Sequence, residues 1–259
     1  MRARIAIIGG TGIYDSEIFE NAEIFDVKTP HGKPSDSIKI AEYKGMKVAL
    51  LPRHGRNHTI PPHKINFQAN LHALKTVGVE RIIGTAAVGS LKKDYERGDV
   101  VFPDQLIDWG KNVITFYNGP DVRHIAFADP FCPELRDILI GVAKSLNIKH
   151  HSKGVYLRIS GPRFSTRAES MMFRQFGDII GMTCVPEAVL ARELGICYAV
   201  IATVTDYDVW ADEPVDVQTV VKTMKENAKK VETILKAAIP KIPEKHSCDC
   251  AEAPEKAKF

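Results

Sequence analysis

The sequence predicts an α/β fold: a single-domain layered architecture with a central mixed β-sheet flanked by helices. Short runs rich in β-branched residues alternate along the chain with segments in which apolar residues recur every three or four positions. Such alternation is typical of layered α/β proteins. No Pro- or Gly-rich linker interrupts the pattern before residue 240, so we expect one domain over residues 1–240.

The predicted strands are short apolar runs bounded by turn-forming residues. In chain order they are ARIAII, KVALL, RIIGTA, DVVFP, VYLRI and ICYAVIATVT. The clearest predicted helix follows Pro133, and residues 217–238 repeat its pattern of a single apolar face. A further helix begins within STRAES, because Thr166 and Glu169 have the spacing of a capping box.

Composition excludes several classes of function. Charged residues make up 26% of the chain and apolar residues 44%, and the formal net charge is only +3. This charge is too small to favour nucleic acid or a membrane surface as a partner. No apolar run approaches the roughly 20 residues of a membrane span, and the N-terminal run ends in glycines without a signal-type cleavage pattern. We therefore expect a cytoplasmic protein.

Residues 241–259 become rich in proline and lysine, which predicts a mobile tail. The tail holds Cys248 and Cys250 as a Cys-x-Cys pair, and a disulfide and a chance surface pair both remain open. A zinc site is not predicted, because zinc needs four ligands and the sequence has no second pair of this kind. The other three cysteines have apolar neighbours and are predicted to be core residues: Cys132, Cys184 and Cys197.

The segment RHGRNHTIPPHK, residues 53–64, is unusually rich in cationic and imidazole nitrogen. His54 and His58 have the spacing of a helical zinc pair, but Gly55 stands where that motif has its glutamate, and Pro61 and Pro62 break the helix. An anion site is favoured, since a guanidinium matches phosphate oxygens and the segment directly follows an apolar strand. A solvated basic loop is the alternative.

Two other strand ends have the character of anion sites. The first strand runs into Gly9-Gly10-Thr11-Gly12, a turn whose backbone amides could approach an anion. It does not fit the dinucleotide fingerprint, because Asp15 occupies the third glycine position; a turn without a ligand is the alternative. The strand at RIIGTA likewise ends in small residues, TAAVGS. We expect the three strand ends to converge on one phosphate.

The last predicted strand ends in TVTDYDVWADEP. Asp206 and Asp208 lie two residues apart and project to the same side. A calcium loop is excluded, because Trp210 and Ala211 occupy positions that need an oxygen ligand and a glycine. Two carboxylates beside a phosphate site favour a nitrogen heterocycle as their partner, and a solvated acidic loop is the alternative.

Several motifs occur in order between residues 5 and 208: IIGGTG, RHGRNH, INFQAN, a Gly-Ser after a Thr-Ala turn, GPRFSTRAES, MTCVPE and ATVTDYD. Together they resemble the trimeric purine nucleoside phosphorylase family, in particular its methylthioadenosine branch. The resemblance implies cleavage of the N-glycosidic bond of 5′-methylthioadenosine by inorganic phosphate, giving adenine and 5-methylthioribose 1-phosphate. It implies that the reaction uses neither a cofactor nor a metal and that inorganic phosphate is the co-substrate. It also implies that the protein is a homotrimer or a dimer of trimers.

The resemblance also implies roles for individual residues. The phosphate-binding residues would be Thr11, Arg53, His54, Thr85, Ala86 and Thr183, with His54 and Asp206 as catalytic residues. The substrate-binding residues would be Phe164, Met182, Asp206, Asp208, Ser165, Val217, Val220, Val221 and His124. Of these, Met182 would lie under the ribose, the three valines would hold the methylthio group, and His124 would reach the 5′ end in a neighbouring subunit. Three valines at helical spacing are also typical of plain core.

The implied chemistry is consistent with the residue types. Cleavage of a glycosidic bond passes through an oxocarbenium-like state, which an anionic nucleophile stabilises. The purine leaves more easily if an acid serves N7, and we predict that Asp206 does so with a raised pKa. Asp208 as an acceptor favours a 6-amino group over a 6-oxo group. The alternatives are a broad-specificity or 6-oxopurine nucleoside phosphorylase, a non-catalytic nucleotide-binding regulator and, more remotely, a nicotinamide-dependent oxidoreductase.

Overall fold

A computed structural model describes residues 2–9, 13–14, 16–110, 113–211 and 217–258. Eleven strands within these residues form one mixed sheet. The strands are β1 (Ile5–Gly9), β2 (Glu23–Phe25), β3 (Ile38–Tyr43), β4 (Met46–Pro52), β5 (Arg81–Ser90), β6 (Val100–Val101), β7 (Gln105–Asp108), β8 (His150–His151), β9 (Val155–Arg158), β10 (Ile179–Gly181) and β11 (Cys197–Asp206). The predicted α/β layered fold is confirmed.

Helices cover both faces of this sheet. They are α1 (Phe67–Thr76), α2 (Pro133–Ser145), α3 (Arg167–Phe173), α4 (Cys184–Glu193), α5 (Val217–Ala238) and α6 (Ala253–Lys256). Leucines of α1 and α4 pack into one apolar cluster, and leucines of α2 and α5 pack into another that includes the opposite side of the sheet. The predicted helix after Pro133 is confirmed as α2, with the proline in its first turn, where a missing N–H costs nothing.

The sheet topology brings four strand ends to one edge. β1 pairs in parallel with both β4 and β5, and β11 pairs in parallel with β5. Gly9 therefore lies beside Pro52 in register, directly before Arg53, and Asp206 lies beside Gly89. Parallel strands build ligand sites at their carboxyl ends, so this edge is where a site is expected.

The tail departs from its predicted mobility. It forms short 3-10 turns at Ile239–Lys241 and Cys250–Glu252 before α6, and the side chain of Cys250 is buried against the domain. The backbone N–H of His124 donates to the carbonyl of Ala257 at 3.0 Å. This packing also brings Cys248 and Cys250 close to two core cysteines, Cys132 and Cys197, which the spacing of cysteines in the sequence does not indicate.

Among the helices that the structure describes, none is both long and apolar enough to cross a membrane.

Candidate active site

A cavity of about 270 Å³ opens at the shared edge of β4, β5 and β11. Most of the predicted site residues line it together: Arg53, His54, Thr85, Ala86, Phe164, Met182, Thr183, Asp206, Asp208 and Val220. Arg53 and His54 follow the end of β4, and Thr183 lies between β10 and the first residue of α4. The two carboxylates, Asp206 and Asp208, come from the end of β11. Of the three strand ends predicted to converge on one phosphate, those of β4 and β5 meet at this cavity, and the end of β11 lies there as well. Thr11, on the first of the three turns, lies outside the described residues.

The guanidinium of Arg53 is held in a fixed position by Glu187 of α4. Arg53 is 2% exposed and Glu187 is fully buried, and Nε and Nη2 of the arginine donate to the two carboxylate oxygens, Nη2 at 2.9 Å. Nη1 donates to the carbonyl of Thr85 at 2.9 Å, and Nη2 donates to that of Ile8 at 3.4 Å. Because Tyr198 also donates to Glu187, at 2.7 Å, the buried carboxylate keeps two partners.

This arrangement limits what Arg53 can offer an anion. A guanidinium has five N–H donors, and four of them make the hydrogen bonds just described, which leaves one N–H on Nη1. Burial lowers the pKa of Arg53, but the Glu187 carboxylate more than offsets this and the pKa is raised overall, so the side chain stays charged. Arg53 therefore acts on an anion chiefly through a fixed positive charge and through one hydrogen bond.

A helix N-terminus supplies further donors. Thr183 directly precedes the first residue of α4, and its hydroxyl makes no capping hydrogen bond to that helix. Both Thr183 and Thr85 are about 7% exposed and line the cavity. Free backbone amides and the helix dipole make such a position favourable for phosphate.

His54 is held in one tautomer. A backbone carbonyl can only accept, so the 2.8 Å contact between Nδ1 and the carbonyl of Ile60 assigns the proton to Nδ1. Burial, followed by the charge of Arg53, lowers the pKa of His54 to about 4, and the ring is neutral near pH 7. Its Nε2 is then an acceptor and does not donate to an anion. Such a group pairs with a protonated phosphate oxygen or donates only after it has gained a proton.

The two histidines of the basic segment do not form a metal pair. The ring of His58 stacks on that of His54 with a centroid distance of 4.4 Å and an angle of 21°. His58 also lines the cavity, so it is part of the wall of the site. Its backbone is in the left-handed region, with φ at +52°.

The Asp206 carboxylate already accepts two hydrogen bonds from its own strand end. Oδ2 accepts from the hydroxyl of Thr205 at 2.7 Å, and Oδ1 accepts from the backbone N–H of Asp208 at 2.8 Å. A bulge in β11 opposite β5 turns this segment toward the cavity. Gly89 permits the approach, since a Cβ there would lie 2.9 Å from Oδ1 of Asp206.

Asp208 is the carboxyl whose environment favours a proton. It is 4% exposed, and burial raises its pKa. The buried oxygens Oδ2 of Asp208, Oγ of Ser165 and Oγ of Ser170 make no hydrogen bond in the structure. Asp208 has this raised pKa because it lies deep, beside the start of α3, whereas the role of Asp206 as the acid at N7 stays a prediction.

Part of the cavity wall is apolar. Met182 lines its floor, and Gly161, with φ at +64°, leaves room for it because a Cβ at this glycine would clash with the thioether. Phe164 is 43% exposed at the cavity mouth. Val220 and Met224 of α5 complete the wall.

Some predicted residues are not brought to the cavity within one chain. Val221 is 44% exposed and lies off the cavity, because a helix turns about 100° per residue and Val220 takes the inward position. Val217 begins α5, but its side chain lies outside the described residues. His124 is on an exposed loop away from the cavity. Ser165 is buried beside Asp208 rather than on the cavity surface.

The residues that sequence analysis missed are Glu187 and the wall residues contributed by His58, Thr203, Thr205 and Met224. A weak signal for Glu187 exists: it is the only charged residue in the apolar run CVPEAVLA, and a buried carboxylate needs a cationic partner. The identity of that partner is not visible in the sequence.

Comparisons with known proteins agree with this geometry. Residues 4–240 match the Phosphorylase superfamily. The chain is 59% identical over 250 residues to S-methyl-5′-thioadenosine phosphorylase of Pyrococcus furiosus, covering 96% of each chain. It resembles a crystal structure of a methylthioadenosine phosphorylase from an antarctic soil metagenomic library, with a TM-score of 0.95, 42% identity and coverage of 100% of this chain and 93% of the other.

A methylthioadenosine phosphorylase of Schistosoma mansoni, solved in complex with adenine, has a TM-score of 0.92 and 36% identity, with coverage of 98% of this chain and 97% of the other. The similarity therefore extends over the whole fold, and the family resemblance seen in the sequence motifs is confirmed. With both its sequence and its fold matched nearly end to end, the chain belongs to the phosphorylase superfamily.

Proposed function

We propose that this chain is the enzyme that cleaves 5′-methylthioadenosine with inorganic phosphate, yielding adenine and 5-methylthioribose 1-phosphate. The observation that carries the proposal is that one cavity is lined by two kinds of group. Arg53, whose positive charge is held in place by Glu187, and Thr183, at the N-terminus of α4, can bind an anion, and Asp206 and Asp208 provide two carboxyl groups. A relative that is 59% identical over 96% of each chain carries this activity in its name. Purine nucleoside phosphorylase chemistry needs an anion site and a purine site facing one sugar, and the charge of Arg53 and the two aspartates are suited to these two tasks.

In the proposed reaction a phosphate oxygen attacks C1′ of the sugar while the bond from C1′ to N9 of the purine breaks. The electron pair of that bond passes into the purine ring, and a proton reaches N7, so that neutral adenine leaves. Arg53 and the α4 N-terminus hold the nucleophile, and its negative charge stabilises the oxocarbenium-like sugar. The apolar floor at Met182 excludes water, which favours phosphate as the nucleophile over water.

The proton for N7 comes from the carboxyl pair. Asp208 is the member that burial keeps protonated to higher pH, and its backbone N–H binds Oδ1 of Asp206. We propose that Asp206, the more exposed of the two, contacts N7 and delivers the proton to it.

Selection of the base follows from the same groups. A carboxylate oxygen and the hydroxyls of Ser165 and Ser170 lie buried without partners, and a 6-amino group is a donor that a carboxylate can accept. A 6-oxo group would place acceptor against acceptor. We therefore propose adenine nucleosides as substrates, with 6-oxopurine nucleosides turned over more slowly.

Selection at the 5′ end rests on Val220 and Met224, which suit a methylthio group better than a hydroxyl. We propose that Val217 and Val221 complete this pocket when substrate binds, and that His124 of a neighbouring subunit closes it in a homotrimer or a dimer of trimers. A cytoplasmic location and Thr11 as a phosphate ligand remain predictions from the sequence.

The test is to incubate the full-length protein with methylthioadenosine, with and without phosphate, and to measure adenine release by chromatography. Adenosine and inosine are compared in parallel. We expect adenine only in the presence of phosphate, released fastest from the methylthio compound. Adenine without phosphate would indicate a hydrolase, and faster cleavage of inosine would overturn the role of the aspartate pair in selecting the 6-amino group.

The same assay on Asp206→Asn separates an enzyme from a nucleotide-binding regulator. Turnover is expected to fall at least about 100-fold, the usual contribution of a general acid, while phosphate binding measured by calorimetry persists. Unchanged turnover would contradict the assignment of Asp206.

A further inference from the structure

One polar side chain is buried on the inner face of α5. Asn227 is 2% exposed, and it is the only polar residue among the buried side chains of α5 that the structure describes. The other buried residues of this helix are apolar: Val231, Ile234, Leu235 and Ala238. A buried amide is tolerated where it makes hydrogen bonds, because an unpaired one is costly. The partner of Asn227 therefore indicates what the residue does.

Asn227 binds the strand that carries the two aspartates. Its Nδ2 donates to the carbonyl of Val204 in β11 at 3.1 Å, and this contact assigns the orientation of the amide because a carbonyl can only accept. The backbone N–H of Gly98 donates to the same carbonyl at 2.9 Å, so both lone pairs of this oxygen are used. The side chain of Asn227 thus joins α5 to β11 in the interior of the molecule.

Val204 is the last residue of β11 in regular register before the bulge. It pairs with Val88 of β5, whereas the next pair along the strand is Asp206 with Gly89, which leaves Thr205 as the extra residue. A bulge interrupts the ladder and re-aims the side chains that follow it. The direction in which Asp206 leaves the strand therefore depends on how Val204 is held.

The same face of α5 forms the cavity wall that is assigned above to the 5′ end. Val220 and Met224 line the cavity, and Val220 lies seven residues, or about two helical turns, before Asn227. Ala228 and Val231, which follow Asn227 in the helix, line it as well. A short path therefore runs from this wall along α5, and through one hydrogen bond, to the strand end that carries Asp206 and Asp208.

We propose that Asn227 is a positioning residue that couples the contact of α5 with the 5′-methylthio group to the placement of Asp206 at the purine. The inference rests on the proposed function, because it takes methylthioadenosine as the occupant of the cavity. A methylthio group that packs on Val220 and Met224 fixes α5, and the amide of Asn227 fixes Val204 and the bulge in turn. A 5′-hydroxyl packs less well on these apolar side chains, so Asp206 is then less well placed.

The first experiment compares kcat/KM of the full-length protein for methylthioadenosine and for adenosine, at saturating phosphate, in the wild type and in Asn227→Leu. Leucine keeps a branched side chain but has no amide, and the Val204 carbonyl keeps its bond from Gly98, so the variant should fold. We expect the ratio of the two kcat/KM values to fall at least about fivefold, which is the effect of one ordinary hydrogen bond. The KM for phosphate should not change. An equal loss for both nucleosides would mean that Asn227 has only a structural role and would overturn the proposal.

Lys230→Met is the matched control. Lys230 lies on the same helix and donates to the carbonyl of Gly98 at 2.7 Å from an exposed position, so it binds the turn beside β11 but not β11 itself. This variant should keep the wild-type ratio of the two kcat/KM values. A fall as large as that in Asn227→Leu would show that any loosening of α5 has this effect, which contradicts a specific role for the amide of Asn227.

Hydrogen exchange followed by mass spectrometry tests the link between α5 and β11 without a substrate. In Asn227→Leu the amides of residues 204–208 should exchange at least about fivefold faster than in the wild type, and in Lys230→Met they should not. If the wild type cleaves no nucleoside, the proposed function fails, whereas faster exchange still supports Asn227 as the residue that holds this strand end. Unchanged exchange in Asn227→Leu, or in Asn227→Ala if the leucine variant does not fold, would overturn the positioning role whether or not the protein is active.

Discussion

Arg53 and His54 are consecutive residues at the end of β4, and their surroundings give them opposite charge states. Arg53 faces the buried carboxylate of Glu187 and remains a cation, whereas His54 faces that cation and a carbonyl and is neutral near pH 7. The pair thus offers phosphate one fixed positive charge and one nitrogen whose role depends on the protonation of the anion. Arg53 can be positioned so deeply only because Glu187 balances it, since unpaired buried charge is strongly destabilising.

This dependence predicts the effect of Glu187→Gln. The substitution leaves the Arg53 charge buried without a balancing anion, which costs about 3 kcal/mol or more in the free energy of unfolding. The guanidinium should also move, so we expect the KM for phosphate to rise at least about tenfold, which corresponds to 1.4 kcal/mol. Denaturant unfolding and steady-state kinetics at varied phosphate measure the two effects.

Glu193→Gln is the matched control. Glu193 lies on the same helix and is also buried, but it binds the hydroxyl of Thr115 at 2.6 Å and the N–H of Phe116 at 2.7 Å instead of an arginine. Its removal should alter stability without changing the KM for phosphate. An equal rise in the KM for phosphate in both variants would contradict the proposal that Glu187 holds Arg53 in position for phosphate.

A second prediction at this scale concerns Asp208 and pH. Burial raises its pKa, so the folded state binds more protons than the unfolded state above the ordinary aspartate pKa of about 3.9. Its contribution to stability is present below that pH and is lost as pH rises through the raised pKa. The Asp208→Asn variant has no carboxyl group at this position, so it does not lose stability in this way as pH rises. The Tm of the variant minus the Tm of the wild type should therefore become more positive as pH rises from about 4 toward neutrality.

Asp36→Asn supplies a control of opposite sign. Burial opposes it, but hydrogen bonds and charge from Arg56 lower the pKa of Asp36, so its stabilising contribution is present above the ordinary pKa and lost on acidification. The Tm difference for Asp36→Asn should therefore shrink as pH falls below about 4 and should change little between pH 4 and neutrality. A difference for Asp208→Asn that is flat or follows the Asp36 variant would show that burial does not hold the proton on Asp208.

At the scale of elements, the parallel order of β4, β1, β5 and β11 assembles the site, and the sequence could predict it in part. Arg53 and the Asp206–Asp208 pair follow long apolar strands, so both the strands and the functional ends are visible in local patterns. Glu187 and Arg53 are 134 residues apart, and no local pattern indicates that they pair. Short strands such as β7 and β10 were missed, because three or four residues carry too little periodicity.

The capping box of α3 gives a prediction at this scale. The hydroxyl of Thr166 accepts from the N–H of Glu169 at 3.2 Å, while the Glu169 carboxylate accepts from the N–H of Thr166 at 2.7 Å and pairs with Arg163. This network fixes the loop that carries Phe164 and Ser165 into the helix. Thr166→Ala should cost about 1 kcal/mol of unfolding free energy and raise the KM for the nucleoside more than that for phosphate.

Thr233→Ala serves as its control. The Thr233 hydroxyl donates to the carbonyl of Lys229, four residues earlier on the exposed face of α5, and caps no helix end. Its removal should change neither KM and should alter stability by less than about 0.5 kcal/mol. If Thr166→Ala changed both KM values equally, the capping box would not act through the nucleoside side of the site.

At the scale of the whole molecule, the tail connects parts of the fold that lie far apart in the sequence. The same segment that brings Cys248 and Cys250 to the core continues through α6 to the loop around His124. Its composition predicted mobility, because a polar, lysine-rich segment buries little apolar area. The structure differs because a few buried positions, Cys250 and Ala257 among them, are enough to attach it when their partners lie elsewhere in the chain.

The attachment predicts how the His124 loop responds to changes in the tail. Ala257 is 7% exposed, and its carbonyl accepts the N–H of His124. Ala257→Asp would bury an unpaired carboxylate, so the end of α6 should detach and amide exchange over residues 121–127 should quicken at least about tenfold, the change expected for 1.4 kcal/mol. Lys256→Asp places the same carboxylate one residue earlier, on the exposed side, where it loses only surface ion pairs. Hydrogen exchange followed by mass spectrometry should show protection of this loop retained in Lys256→Asp and lost in Ala257→Asp. Equal exchange in the two variants would mean that the loop is ordered without the tail.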